Sequence, residues 1–84
     1  MPYKIELKKS AEKEYLNLEK NIKERVKVAI QNLSKDPKPS GFKKLQNRDG
    51  YRIRVGDYRI VYTIDESINL IEIFKIAHRK DVYR

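Results

Sequence analysis

The sequence predicts one α+β domain, residues 1–84, in which a helical hairpin packs on one face of a mainly antiparallel four-stranded sheet, in the order β-α-α-β-β-β. Three observations predict this fold. An alternating apolar and charged segment opens the chain, two segments with apolar residues at helical spacing follow, and three strand-like segments form the C-terminal half. Since a chain this short buries only about 60–65% of its unfolded surface, any site must lie on an open face or in a shallow groove.

The first two elements are a strand and a short helix. Residues 3–7 alternate Tyr, Ile and Leu with Lys and Glu, which predicts a half-buried strand. Ser10 is expected to cap the next helix, with Glu12 and Glu14 stabilising its first turn. The apolar residues that recur at helical spacing are Ala11, Tyr15 and Leu18.

The second helix is predicted to begin at Asn21, where Glu24 completes a capping-box pattern. It is expected to end by Asp36, because a residue before proline avoids the α region. Its apolar stripe consists of Ile22, Val26, Ala29, Ile30 and Leu33. Such a stripe either binds a partner or covers the sheet, and in so short a chain it is expected to cover the sheet.

Residues 51–62 form the central β-hairpin of the prediction. Two alternating runs flank the Gly-Asp pair at 56–57, which suits a two-residue turn with positive φ. This turn places Arg54 opposite Arg59, with Arg52 on the same face. The other face carries Tyr51, Ile53, Val55, Tyr58, Ile60 and Tyr62.

The arginine pair predicts an anion site. Guanidinium heads held about 5 Å apart repel by roughly 1 kcal/mol in water and roughly 3 kcal/mol at an effective dielectric near 20. The pair suits a bound anion, because guanidinium forks match phosphate geometry. The alternative is a solvated polar face, and three arginines without an acid among them favour the anion site. Lys43 and Lys44 either extend this basic surface or are merely solvated.

The last strand is predicted over residues 69–76, where apolar side chains occupy both faces. Such a strand is expected in the interior of the sheet. Glu72 in its middle needs a basic partner, for which an arginine of the hairpin is the candidate.

Composition limits the classes of function. Lys and Arg number 20 against 12 Asp and Glu, and the resulting charge of +8 favours a polyanionic partner such as nucleic acid. No apolar run approaches membrane-spanning length, and the start lacks a secretory signal pattern. There is no cysteine, and the single histidine has no acid cluster near it, so no metal or cofactor is expected and a cytoplasmic location is the default.

The hairpin Tyr-Arg-Ile-Arg-Val-Gly-Asp-Tyr-Arg-Ile-Val-Tyr is followed, after an apolar strand, by Ala-His-Arg-Lys-Asp-Val-Tyr at 77–83. With the opening strand, the two helices and the proline-containing loop, these motifs resemble the RelE branch of the RelE/ParE toxin superfamily over essentially the whole chain. The resemblance implies a type II toxin, an endoribonuclease that cuts messenger RNA in the ribosomal A site. It also implies a cognate antitoxin that silences the toxin, with a heterotetramer as one expected assembly.

The resemblance further implies roles for individual residues. Arg52 and Arg54 match basic residues that contact the RNA or assist catalysis. Arg59 matches an arginine that stabilises the scissile phosphate, and Arg79 one linked to the leaving group. Tyr83 matches a tyrosine proposed to activate the nucleophile or to stack on a base.

The chemistry expected of these residues does not require a metal. Metal-assisted cleavage needs carboxylates, and no acid cluster appears near the basic face. The remaining route is attack by the RNA's own 2′-hydroxyl on the adjacent phosphate, with Arg54 supplying charge only, because arginine does not release its proton. Tyr83 and His78, the latter at a position where relatives often carry lysine, are the candidate acid–base groups. The alternatives are a surface histidine and a tyrosine that packs or stacks without proton transfer.

Two other functions fit the same fold. One is a ParE-like inhibitor of DNA gyrase, which needs no catalytic residues. The other is a non-catalytic protein that binds nucleic acid or antitoxin. The arginines of the hairpin together with Arg79 favour the nuclease.

Overall fold

The computed structural model describes residues 2–78 and 80 of the chain. Its elements are β1 Lys4–Leu7, α1 Lys9–Leu16, α2 Lys20–Lys35, β2 Lys43–Lys44, β3 Tyr51–Val55, β4 Tyr58–Asp65 and β5 Leu70–His78. The strands form one sheet in the order β1-β5-β4-β3-β2, in which β1 runs parallel to β5 and all other neighbours are antiparallel. Neither helix of the described part is long and apolar enough to cross a membrane.

The predicted α+β fold, with its helical pair and mainly antiparallel sheet, is confirmed. The strand count was wrong: the described residues form five strands, because Lys43 and Lys44 pair with Arg52 and Tyr51 as the two-residue β2. Two residues are too few to leave an alternating pattern in a sequence. The interior position of the last strand is confirmed, since β5 lies between β1 and β4, although it runs over Leu70–His78 rather than 69–76.

Both predicted helix caps were wrong. Helix α1 begins at Lys9 and α2 at Lys20, and within the described residues neither helix receives a hydrogen bond from a capping side chain. The hydroxyl of Ser10 donates instead to the backbone oxygen of Phe74 at 3.3 Å. Local preference predicts that Ser10 caps the helix, but its hydroxyl is engaged in a tertiary hydrogen bond to β5 instead.

Helix α1 also covers an edge of the sheet. Strand β1 ends at Leu7, beside Ile73, so the rest of β5 has no strand on that side. There the carboxylate Oε1 of Glu14 accepts the backbone N–H of Ile76 at 2.8 Å. The predicted arginine partner of Glu72 was wrong, because Lys8, at the end of the neighbouring strand, pairs with that carboxylate at 2.9 Å. This hydrogen bond raises the pKa of Lys8.

The core lies between the helices and one face of the sheet. Its fully buried side chains of largest volume are Tyr62, Leu33, Ile60, Ile71, Ile73 and Val26. The hydroxyl of Tyr62 donates to the backbone oxygen of Pro37 at 2.7 Å, which ties the sheet to the proline-containing loop after α2. Burial, with smaller effects of Tyr51 and Asp36, raises the pKa of Tyr62 to about 12 from its ordinary value of 10.0.

Replacing Tyr62 with phenylalanine is expected to lower the free energy of unfolding by about 1 kcal/mol at pH 8, because the Pro37 carbonyl loses its donor. The folded state holds the phenol proton more tightly than the unfolded state. Stability from this group is therefore complete below pH 10 and declines as the pH rises toward 12, by about 1.4 kcal/mol per unit. Urea unfolding should show the wild type more stable than Tyr62→Phe at pH 8 but no more stable than it at pH 11, and an unchanged difference would contradict the assignment.

Candidate functional site

The hairpin register matches the prediction pair for pair. Arg54 lies opposite Arg59, Arg52 opposite Val61, and the turn between the strands holds Gly56 at a φ of 60°. Ile53 and Ile60, the residues between these pairs, are buried on the helix side. The three arginines therefore lie on the other side of the sheet, called here the open face.

The open face contains a shallow depression of about 140 Å³. Its lining residues are Gly41, Lys43, Arg52, Ile53, Arg54 and Arg59. Four of the six carry a positive charge and none is acidic. The composition of the depression, formed where β3 and β4 meet the end of the proline-containing loop, therefore suits an anion.

Two of the arginines are held in place by their surroundings. The Nε of Arg54 donates to the backbone oxygen of Gly56 at 3.0 Å, so this guanidinium is fixed against the hairpin turn. Arg59 is half-buried, and its Nη1 is shielded from solvent. Directly opposite residues of an antiparallel pair have Cβ atoms about 5 Å apart, so the two positive charges stay close. A bound phosphate would relieve this repulsion.

The two lysines of β2 differ in placement. Lys43 is the partner of Arg52, and it also lines the depression. Lys44 is the partner of Tyr51, whose ring lies 5.9 Å from the ring of the buried Tyr62 on the helix side. Alternation along the strand therefore brings Lys43 to the arginines and directs Lys44 away from them.

His78 is not on the face of the arginines. It pairs with Tyr58, and the pair of Ile60 with Ile76, two residues earlier in β5, is buried on the helix side. Because residues two apart share a face, His78 also lies on the helix side of the sheet. Its ring meets the ring of Tyr58 edge to face, 5.3 Å between centroids. The Nδ1 of His78 accepts the backbone N–H of Lys80 at 3.3 Å, which leaves the proton of the neutral ring on Nε2. The other two candidates near the C-terminus, Arg79 and Tyr83, lie outside the described residues.

Three open-face residues escaped the sequence analysis. Arg48 places its guanidinium carbon 4.3 Å from the centre of the Phe74 ring, and Lys75 is the partner of Val61. The sequence predicts Phe74 only as part of a strand that is apolar on both faces. No local signal places an exposed loop arginine over a ring two strands away.

Comparison with known proteins identifies the family. The family model described as the ParE toxin of the type II toxin–antitoxin system parDE matches residues 5–83. The chain belongs to the RelE/ParE toxin superfamily. Toxin RelG of Mycobacterium tuberculosis is 30% identical over an aligned length of 86 residues, and the alignment covers 100% of this chain and 99% of RelG.

Solved structures of RelE/ParE proteins have the same fold. A chain of the archaeal RelE–RelB complex from Pyrococcus horikoshii OT3 has a TM-score of 0.83 at 29% identity, covering 94% of this chain and 97% of that one. A chain of the toxin–antitoxin complex RelBE2 from Mycobacterium tuberculosis has a TM-score of 0.82 at 26% identity, covering 94% and 100%. The chain is therefore similar to type II toxins along nearly its full length.

Proposed function

We propose that this protein is a ribosome-dependent endoribonuclease that cuts messenger RNA in the ribosomal A site and so inhibits translation. The observation that carries the proposal is the depression in which Arg54 faces Arg59, with Arg52 and Lys43 beside them. Guanidinium groups gathered over an open surface suit the backbone of a single RNA strand. A shallow site also depends on a substrate that is positioned for it, which the ribosome would supply in the cytoplasm.

The reaction we propose is attack by the 2′-hydroxyl of the RNA on its own neighbouring phosphate. The P–O bond to the 5′-oxygen of the next nucleotide breaks, and a 2′,3′-cyclic phosphate and a 5′-hydroxyl are formed. Arg59 and Arg54 would stabilise the negative charge that develops on the phosphate oxygens. Tyr83 remains the proposed general base, and Arg79 the group that assists the leaving oxygen. His78 lies across the sheet from Arg59, so direct proton transfer from it is the weaker alternative.

A cognate antitoxin is the proposed partner. Two of the similar solved structures are complexes, RelE with RelB and RelBE2, and both contain a chain that resembles this one over 94% of its length. A charge of +8 favours an acidic antitoxin. Mixing the toxin with the product of a small acidic reading frame beside its gene should give a stable complex in gel filtration, and the ratio of the chains would test the heterotetramer.

The proposed reaction is tested in a purified translation system with a defined message. Primer extension should reveal cuts at the occupied codon when the toxin is present. A 2′-deoxy sugar at the nucleotide before the cut should abolish cleavage there while neighbouring cuts persist, because the attacking hydroxyl is missing. An intact message, or cleavage that survives the 2′-deoxy substitution, would overturn the proposed reaction.

Inhibition of DNA gyrase is a second candidate, which the match to the ParE family model favours. A supercoiling assay with purified gyrase separates the two activities. Inhibition of supercoiling without cleavage of the message would establish the ParE-like function instead.

A further inference from the structure

The pairing of β4 with β5 contains a register shift. Val61 pairs with Lys75, but the next residue, Tyr62, pairs with Ile73, so Phe74 is an extra residue in β5. Ile73 and Ile76 are both buried in the core although they are three residues apart, a spacing that normally puts strand residues on opposite faces. The bulge therefore directs Phe74 and Lys75 together toward the open face.

The ring of Phe74 has a cation over it. Arg48, in the loop between β2 and β3, places its guanidinium carbon 4.3 Å from the ring centroid. The ends of this loop are joined by the hydrogen bond from the Leu45 N–H to the Gly50 oxygen at 3.0 Å. Arg48 itself is exposed, whereas Phe74 is half-buried. The result is a cationic and aromatic pair on the same face as the depression, called here the Arg48–Phe74 platform.

The platform continues the basic surface across the sheet. Arg52, Val61 and Lys75 are successive register partners, so Lys75 lies about 10 Å from Arg52 in the same row. Arg59 precedes Val61 by two residues on β4, so it lies about 7 Å from Val61 along the strand. One RNA strand can therefore contact the depression and the platform together. Unstacked bases bind on aromatic rings and guanidinium planes, while neighbouring cations bind their phosphates.

We propose that the Arg48–Phe74 platform is a base-stacking subsite for a nucleotide that flanks the scissile phosphate, with Lys75 binding the adjacent RNA backbone. This inference rests on the proposed ribonuclease function and adds a second contact for the same substrate. The base stacks on the exposed guanidinium of Arg48, which the Phe74 ring supports from beneath. Because every base has a face that can stack, the subsite positions the strand without selecting a sequence. Lys75 adds charge at the point where the strand leaves the depression.

The subsite is tested by fluorescence of 2-aminopurine, a base whose emission is quenched by stacking. The probe is a single-stranded RNA heptamer with 2′-deoxyribose at its central nucleotide, and 2-aminopurine replaces one base at a time. The full-length toxin should quench one position beside the centre. Phe74→Leu and Arg48→Ala should each remove that quenching and weaken binding about 5- to 150-fold, the effect of losing one stacked base. Lys27→Gln, which removes an exposed charge from α2, should do neither.

Arg48→Lys separates stacking from charge. It keeps the positive charge but loses the planar group, so quenching should fall while the salt dependence of binding stays as in the wild type. In Lys75→Ala, which removes the proposed backbone contact, the slope of log K against log salt should fall by about 0.7, the value for one phosphate contact on a single strand. Because Arg48 is exposed, its variants remain informative even if Phe74→Leu unfolds.

Cleavage by the same proteins separates failure of the subsite from failure of the proposed function. If the wild type cuts the message but quenching is uniform along the heptamer, or survives in Phe74→Leu and Arg48→Ala, the subsite is overturned and the nuclease stands. If the wild type neither cuts the message nor binds the heptamer, both are overturned. If Arg48→Ala loses stability without any change in quenching, the contact between Arg48 and Phe74 only stabilises the loop between β2 and β3. That result would also overturn the subsite.

Discussion

Replacing Arg59 with alanine is expected to lower the rate of message cleavage by about 10²–10³-fold, the effect of removing one group that stabilises transition-state charge. Arg59 combines the two features that make such a group effective, because it lines the depression and is half-buried. Single-turnover cleavage of a programmed ribosome complex measures the rate. Arg59→Lys should recover part of it, since a point charge remains but the two-pronged guanidinium contact is lost.

Two controls define the Arg59 result. Lys27→Ala removes an exposed positive charge from α2, on the other side of the sheet, and should cut at the wild-type rate. Urea unfolding of Arg59→Ala should show a folded protein, and its affinity for the antitoxin should be largely retained. Cleavage within tenfold of the wild type by folded Arg59→Ala would contradict the role of Arg59. Toxicity that persists in folded Arg59→Ala although the message stays intact would instead favour a non-catalytic toxin.

The hairpin register could be predicted because one local feature determines it. The Gly-Asp pair at 56–57 fixes the turn, and a two-residue turn leaves only one pairing of the flanking strands. The opposition of Arg54 to Arg59 follows directly. The helix starts were less predictable, because Ser10 bonds to a strand 64 residues away in the sequence rather than to its own helix.

The face of His78 could not be predicted, because it depends on the bulge at Phe74. Ile71 and Ile73 lie on the helix side, so strict alternation would place His78 with the arginines on the open face. The extra residue reverses the alternation, and His78 instead pairs with Tyr58 on the helix side. A one-residue shift changes the face of every residue that follows it, and nothing in the run of apolar residues marks where the shift occurs. The same bulge that moves His78 away brings Lys75 to the open face, where it joins Phe74.

Replacing Gly50 with alanine is expected to lower the free energy of unfolding by about 2–6 kcal/mol. Gly50 is buried and has a φ of 137°, a conformation that costs other residues about 1–3 kcal/mol. An added Cβ would also lie 3.0 Å from Cδ1 of Leu45 and 3.1 Å from the backbone oxygen of Tyr62. The leucine side chain can move, but the strand carbonyl cannot, so overpacking adds a further 1–3 kcal/mol or so. Urea unfolding measures the sum.

Gly41→Ala is the matched control for this prediction. Gly41 also has a positive φ, 89°, but a Cβ there would meet no atom within 4 Å, so only the conformational strain is expected. Equal destabilisation of the two variants would show that the contact with Tyr62 contributes nothing. The loop that Gly50 closes also carries Arg48, and the Leu45–Gly50 hydrogen bond joins its ends. Gly50→Ala should therefore reduce 2-aminopurine quenching at temperatures where the protein is still folded, whereas Lys27→Gln should leave that quenching unchanged.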